Sequence, residues 1–222
     1  MRSIEDILAI SVDRKGSEAA VFDGFVPPKP AAELATAPDD RWLAAMTRAI
    51  FNAGFNWKVV DSMWSGFETA FKGFDPGVCA MMDDIWFDRL IADTSIVRHG
   101  SKIQAVQENA VFLNAHSRQH GSFGAFVAGW SPEQFTGLLE MLKSDGTRLG
   151  GTTGQYFLRA MGVDGFILSR DVVARLIAEG VIDKPPTSKG AMRSVQAAFS
   201  EWRGESGLSL KEISRILATS TG

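Results

Sequence analysis

Residues 138–180 read LLEMLKSDGTRLGGTTGQYFLRAMGVDGFILSRDVVARLIAEG. Leu138, Leu139 and Leu142 follow Phe135 at helical spacing, so one apolar face runs up to about Ser144. Gly146, Gly150 and Gly151 then crowd a short loop, and a second helix is expected from about Thr153 to Met161. The pattern over about 137–162 is that of a helix-hairpin-helix. Glycines let such a loop turn tightly and let another molecule approach the backbone. The N–H groups opening the second helix, aided by its dipole, suit a phosphate. Contacts of that kind hold DNA in place without reading its sequence. On this reading Gly150, Gly151, Thr152, Thr153, Gly154 and Arg148 are candidate DNA-binding residues, with Lys143 beside them. A glycine-capped turn between two core helices has the same pattern.

Outward from the hairpin the periodicity stays helical. Asp39 or Asp40 can cap a helix whose inner face is Trp42, Leu43, Met46 and Ile50. Two short helices fit WKVVDSMWSGFETAFKGFDP, stopped at Gly73 and Pro76. Asp83 starts another, with Ile85, Phe87, Leu90 and Ile91 inward, and Ser101 begins a long one carrying Ile103, Val106, Ala110 and Leu113. Pro132 suits the start of the helix that enters the hairpin. Helices are expected over Arg170–Ala178, Gly190–Trp202 and Ser209–Ala218, with Lys184-Pro185-Pro186-Thr187 as a linker. No stretch alternates in the manner of a strand, and the predicted fold is all-α. Residues 1–38 hold a helical piece near Ile4–Ile10 and then Pro27, Pro28 and Pro30, which favour extended backbone. They are expected as an arm packed through Phe22 and Phe25 on a single helical domain, 39–222.

Composition narrows the classes. Hydrophobic residues make up 45% of the 222, as in ordinary globular proteins, and no run approaches a membrane span. The apolar patch at the N-terminus contains Glu5 and Asp6 and lacks a cleavage pattern, so no secretory signal is expected. One cysteine, Cys79, excludes an internal disulfide and a four-cysteine metal site, which points to a reducing cytoplasm. A net charge of −3 argues mildly against nucleic acid but says nothing of a local basic face. His116 and His120 stand at i, i+4, a spacing that suits a metal, but no third ligand lies nearby.

Asp171 lies about twenty residues past the glycines, at the start of a helix. An acid there is a ready helix cap, and the dipole also keeps it ionised. In a glycosidic cleavage such an acid supports a cationic sugar or activates water.

Four blocks then occur in order: AIFNAGFNWKVV (49–60), FETAFKGFDP (67–76), IVRHGSKIQAVQENA (96–110) and GTRLGGTTGQYFLRAMG (146–162). Together, over about 42–180, they resemble the DNA-3-methyladenine glycosylase I family of helix-hairpin-helix glycosylases. The resemblance implies an all-helical fold of two lobes around a base-binding cleft. It also implies a DNA-repair hydrolase that cuts the N-glycosyl bond of alkylated bases in double-stranded DNA, with the base flipped into a pocket. No cofactor is implied, and a cytoplasmic, nucleoid-associated monomer is the expectation.

Carried over by residue, Trp57 stands where the family stacks an indole on the base, and Asn52 where an amide lines the pocket. An aromatic face attracts a cationic methylated purine, which is why a tryptophan suits that place. Gly54 and Phe55 fall at the pocket mouth. Arg98, His99 and Lys102 fall in a turn expected to contact phosphate or to support the hairpin. Asp171 fits the catalytic acid of the wider superfamily. The chain departs from the pattern twice. The family's pocket glutamate falls on Ala49, and the ligands of its structural zinc have no counterparts, so no metal is expected. The second hairpin helix opens Gly154, Gln155, Tyr156, without the lysine that strand-cleaving glycosylases use for a Schiff base. A monofunctional enzyme using water is the expectation, and a non-catalytic DNA-binding or damage-sensing protein on the same scaffold is the alternative.

Overall fold

The computed structural model of the chain describes residues 1–221, and no strand occurs among them. In chain order the helices are α1 (Ile4–Lys15), α2 (Glu18–Val21), α3 (Ala31–Thr36), α4 (Asp39–Asn52), α5 (Trp57–Ser62), α6 (Trp64–Ala70), α7 (Pro76–Cys79) and α8 (Asp84–Ala92). After these come α9 (Gly100–His120), α10 (Phe123–Ala128), α11 (Phe135–Asp145), α12 (Thr152–Met161), α13 (Arg170–Ala178), α14 (Lys189–Ser206) and α15 (Leu210–Thr219). Short polar side chains set most of the starts. Ser3, Asn56, Asp83, Ser122, Ser169, Ser188 and Ser209 each accept a hydrogen bond from a backbone N–H of the first turn. At α15, Glu212 returns the bond to Ser209 and closes a capping box.

The chain divides into two compact units: residues 1–29, 131–137 and 162 onward form the first, and residues 30–130 and 138–161 the second. In the first, α15 packs on α1 and α13, and Leu210, Ile213, Ile216 and Leu217 are buried as their period requires. An aromatic row, Phe135, Phe166, Phe199 and Trp202, runs through its core with centroids 4.9, 4.2 and 5.8 Å apart. Polar groups lock the N-terminal segment in place: the Trp202 indole donates to the Arg2 carbonyl, Ser11 to the Ile216 carbonyl, and Arg215 to the Val21 carbonyl. The helical piece expected near Ile4–Ile10 is part of α1, Pro27, Pro28 and Pro30 lie in the non-helical stretch between α2 and α3, and those two short helices were not expected.

In the second unit α4 is central, packed on α9 and α12. Trp42, Leu43, Met46 and Ile50 are fully buried, and α9 answers with Ile103, Val106, Ala110 and Leu113. Burial of each leucine, isoleucine, valine or methionine among them stabilises by roughly 1.5–3 kcal/mol. Neither Asp39 nor Asp40 caps α4. Pro38 occupies the cap, and the Asp39 carboxylate instead accepts bonds from Ser117 Oγ and the Phe123 N–H, tying α4 to α9 and α10. The expected inner face of α8 is also corrected. Ile85 and Ile91 are exposed, because the helix turns Trp86, Phe87 and Leu90 inward and the Trp86 indole donates to the Ala70 carbonyl.

Candidate active site

One stripe of α4 faces away from the core: Arg41, Ala45, Arg48, Ala49 and Asn52, at helical spacing. With Phe55, Trp57, Trp64 and the α12 residues Thr152, Thr153 and Tyr156 this stripe lines a cavity of about 730 Å³. That is within the ~300–1,000 Å³ of small-molecule sites. The turn after α4 explains how tryptophan reaches it. Gly54 takes a left-handed φ of +77°, and Asn56 caps α5 by accepting from the Lys58 N–H at 3.0 Å. Trp57 thus becomes the first residue of α5 and is 57% exposed. Of the residues expected in a base pocket, Ala49, Asn52, Phe55 and Trp57 all line the cavity; Gly54 shapes the turn beside them.

The electrostatics come from residues the sequence reading did not single out. Arg41 holds Glu68 in a two-pronged pair at 2.8 and 3.1 Å, and the Trp64 indole donates to the same carboxylate. The Arg41 hydrogen bonds keep the Glu68 carboxyl below its ordinary range. Arg48 donates Nε and Nη2 to Asp61, and its guanidinium lies 4.7 Å from the centre of the Trp64 ring. No carboxylate is among the residues lining the cavity. Asn52 Oδ1 is buried without a hydrogen-bond partner.

The glycine-rich hairpin joins α11 to α12, as expected. Gly151 has φ +60°, and a Cβ on Gly154 would lie 2.4 Å from the Leu149 carbonyl oxygen, so both positions require glycine. Arg148 also adopts a left-handed φ of +61°, uncommon for a side-chain-bearing residue. What holds the turn is Asn109, fully buried in α9. Its Nδ2 donates to the Thr147 carbonyl and its Oδ1 accepts the Thr147 N–H, both at 2.9 Å.

The start of α9 supports both the hairpin and the 53–57 turn. Arg148 Nη2 donates to Ser101 Oγ at 2.8 Å, Ser101 pairs with His99 Nδ1, and the His99 ring meets Phe55 edge-on. Lys102 is only 4% exposed. Its ammonium donates to the carbonyls of Phe51 and Ala53 and sits 4.3 Å from the centre of the Phe55 ring. Burial, and then Arg148, lower its pKa. Its placement is thus corrected from a phosphate contact to a brace under the turn. Arg98, Arg148 and Gly151 remain exposed.

Asp171 belongs to the first unit, in the first turn of α13. Ser169, not Asp171, caps that helix. The Asp171 carboxylate is 41% exposed and 3.6 Å from Arg170 Nε. Capping duty therefore does not account for an acid here. His116 lies in a ring cluster, stacked 4.0 Å from Phe126 and 6.2 Å from His120. Among the described residues no group of three or more His, Cys, Asp or Glu is placed to hold a metal ion.

Residues 35–143 match the methyladenine glycosylase family. The match ends before the hairpin, so the fourth block of the sequence resemblance lies outside it. Solved structures of the same kind resemble the chain in fold. One is 3-methyladenine DNA glycosylase I from Staphylococcus aureus, 24% identical, covering 62% of this chain and 81% of its own, with a TM-score of 0.53. A variant of 3-methyladenine DNA glycosylase I in complex with 3-methyladenine is 25% identical over 64% of this chain and 83% of its own, with a TM-score of 0.53. An 8-oxoguanine glycosylase/lyase from Methanocaldococcus jannaschii, in complex with DNA containing 8-oxoguanine, covers 96% of this chain and 95% of its own at 16% identity and a TM-score of 0.51. The all-helical architecture is that of these glycosylases. Among the described residues no helix is long and apolar enough to cross a membrane.

Proposed function

We propose that the chain is a monofunctional DNA N-glycosylase of base excision repair, acting as a monomer on double-stranded DNA where the genome lies. It excises damaged bases, with alkylated purines such as 3-methyladenine among them. The observation that carries this reading is the cavity of about 730 Å³ that presents an exposed Trp57 beside the α12 end of a glycine hairpin. Supporting it are the family match and the fold shared with glycosylases.

In this mechanism the hairpin backbone and the start of α12 hold a phosphate, with Arg148 and Arg98 adding charge. Phe55, braced by Lys102, wedges into the duplex as the base leaves the stack, and the base slides against Trp57, its edge meeting Asn52. Water is the nucleophile, since no lysine opens α12. Asp171 supports the oxocarbenium-like sugar. An alkylated purine carries its own positive charge and departs with little acid catalysis. Ala49 favours a second reading, a damage-sensing protein that binds without cutting, because the lining holds no acid to meet such a cation.

Release of 3-methyladenine from methylated duplex DNA decides between them. Wild type is expected to release it, and Asp171→Asn to do so at least tenfold more slowly. Binding without release across a lesion panel favours the sensor. Unchanged release by Asp171→Asn removes that residue from the chemistry.

A further inference from the structure

Resting on the base-excision reading, we infer that this pocket prefers an uncharged oxo-base, one that shows a carbonyl oxygen beside a ring N–H, with hypoxanthine as the representative. The inference rests on the α4 stripe. Where an acid at position 49 would reward a cationic base, Ala49 leaves only a methyl group, and no carboxylate replaces it in the lining. The charged groups that do line the cavity, Arg41 and Arg48, are both cations. Arg41 commits Nε, Nη1 and Nη2 to Asp40, Glu68 and the Gly73 carbonyl. Arg48 commits Nε and Nη2 to Asp61, and those bonds leave its Nη1 unengaged as a donor.

One helical turn further along, Asn52 brings Oδ1, buried and without a partner. Residues i and i+4 of a helix are neighbours on one face, and Arg48 and Asn52 both line the cavity, so a small turn of the Asn52 amide would bring its buried acceptor to a base that Arg48 also meets. A lactam edge is their complement: its carbonyl oxygen accepts from Arg48 Nη1 and its N–H donates to Asn52 Oδ1. Leaving a buried acceptor unpaired is costly, so a base that satisfies Asn52 is favoured over one that does not. Trp57 adds flat apolar surface that suits an uncharged ring as well as a charged one.

The same arrangement serves the chemistry. A neutral base leaves as an anion, unlike an alkylated cation. The bond from C1′ of the sugar to the base nitrogen breaks, and its electron pair stays on the base. The water oxygen bonds to C1′, and one of its protons ends on that base nitrogen, giving the free base and an abasic sugar. Negative charge grows on the lactam carbonyl during this step, and the Arg48 guanidinium is already placed to stabilise it. A base that is already cationic would meet the Arg48 charge instead.

The test uses the full chain in two assays. Free hypoxanthine or 3-methyladenine is titrated into the protein while tryptophan fluorescence is followed. Release is then timed from duplexes carrying one hypoxanthine and from methylated duplexes. We expect hypoxanthine to bind more tightly and to be released, and Arg48→Met or Asn52→Ala to slow its release at least tenfold, with Arg48→Met leaving release of 3-methyladenine no slower. Release of 3-methyladenine without release or binding of hypoxanthine overturns this inference and leaves the glycosylase reading intact. Tight binding of hypoxanthine with no release of any base upholds the pocket chemistry and overturns the enzyme reading. If both variants release hypoxanthine at the wild-type rate, Arg48 and Asn52 are not its recognition groups and the inference fails.

Discussion

Replacing Asn109 by alanine removes two hydrogen bonds at once, from Nδ2 to the Thr147 carbonyl and from the Thr147 N–H to Oδ1, each 2.9 Å long. Each is worth about 1 kcal/mol net, so a loss of about 2 kcal/mol is expected, limited by the water that can reach the half-buried Thr147. For a protein of this size that lowers Tm by about 4–8 °C. If the freed hairpin must be reordered on DNA, the same 2 kcal/mol weakens duplex binding by up to roughly 30-fold. Asn109→Asp is the sharper probe: it keeps the acceptor for the Thr147 N–H but sets an oxygen against the Thr147 carbonyl. Thermal melts followed by circular dichroism, with DNA affinity measured by fluorescence anisotropy, read both effects. A Tm within about 1 °C of wild type together with unchanged affinity in both variants would refute the reasoning. The glycines alone would then set the hairpin.

Lys102→Met keeps the apolar stem but removes the ammonium from the Phe51 and Ala53 carbonyls. Hydrogen bonds to a charged group contribute about 1.5–3 kcal/mol, so a lower Tm and slower base release are expected, with DNA affinity nearly unchanged. The His116 pKa is lowered, chiefly by burial and then by His120, against an opposing pull from Asp145. The unfolded chain therefore binds the proton first, and stability falls as pH drops from about 6.5 through the lower folded value. Melts at stepped pH should show a smaller acid loss in His116→Phe, and identical acid losses would exclude His116 as the cause. Cys79 is 1% exposed, donates to the Phe71 carbonyl, and has its thiol pushed up to about 12 by burial. It should react with a thiol reagent only in denaturant, and rapid labelling of the native protein would contradict its burial.

Periodicity made the long helices legible, because α9 and α15 each bury one clean face. The hairpin was legible from its glycines, whose backbone needs are local. Within residues 1–38 the helix at Ile4–Ile10 and the break at the prolines were legible, whereas α2 and α3, of four and six residues, are too short to show a period. Asp39 looked like a cap but is drawn off by Ser117 and the Phe123 N–H. In the pocket, AGFNW located Trp57 and Asn52. Arg48, Glu68, Asp61 and Trp64 were missed, because their pairing joins α4, α5 and α6 and has no linear motif. Two signals were nevertheless present in the sequence. Asn109 sits within the buried stripe of α9, where a lone amide must have a partner, and the α4 face opposite its core carries Arg41, Ala45, Arg48, Ala49 and Asn52 at regular spacing.

A single-turnover reaction of excess protein with end-labelled duplex carrying one damaged base bears most directly on the glycosylase reading. The products are divided between chromatography of the free base and gels run with and without alkali. The expected result is free base in step with sites that break only after alkali, and an intact strand otherwise. Strand breakage without alkali would contradict the monofunctional chemistry, and the absence of free base for every lesion tried would contradict the enzyme itself.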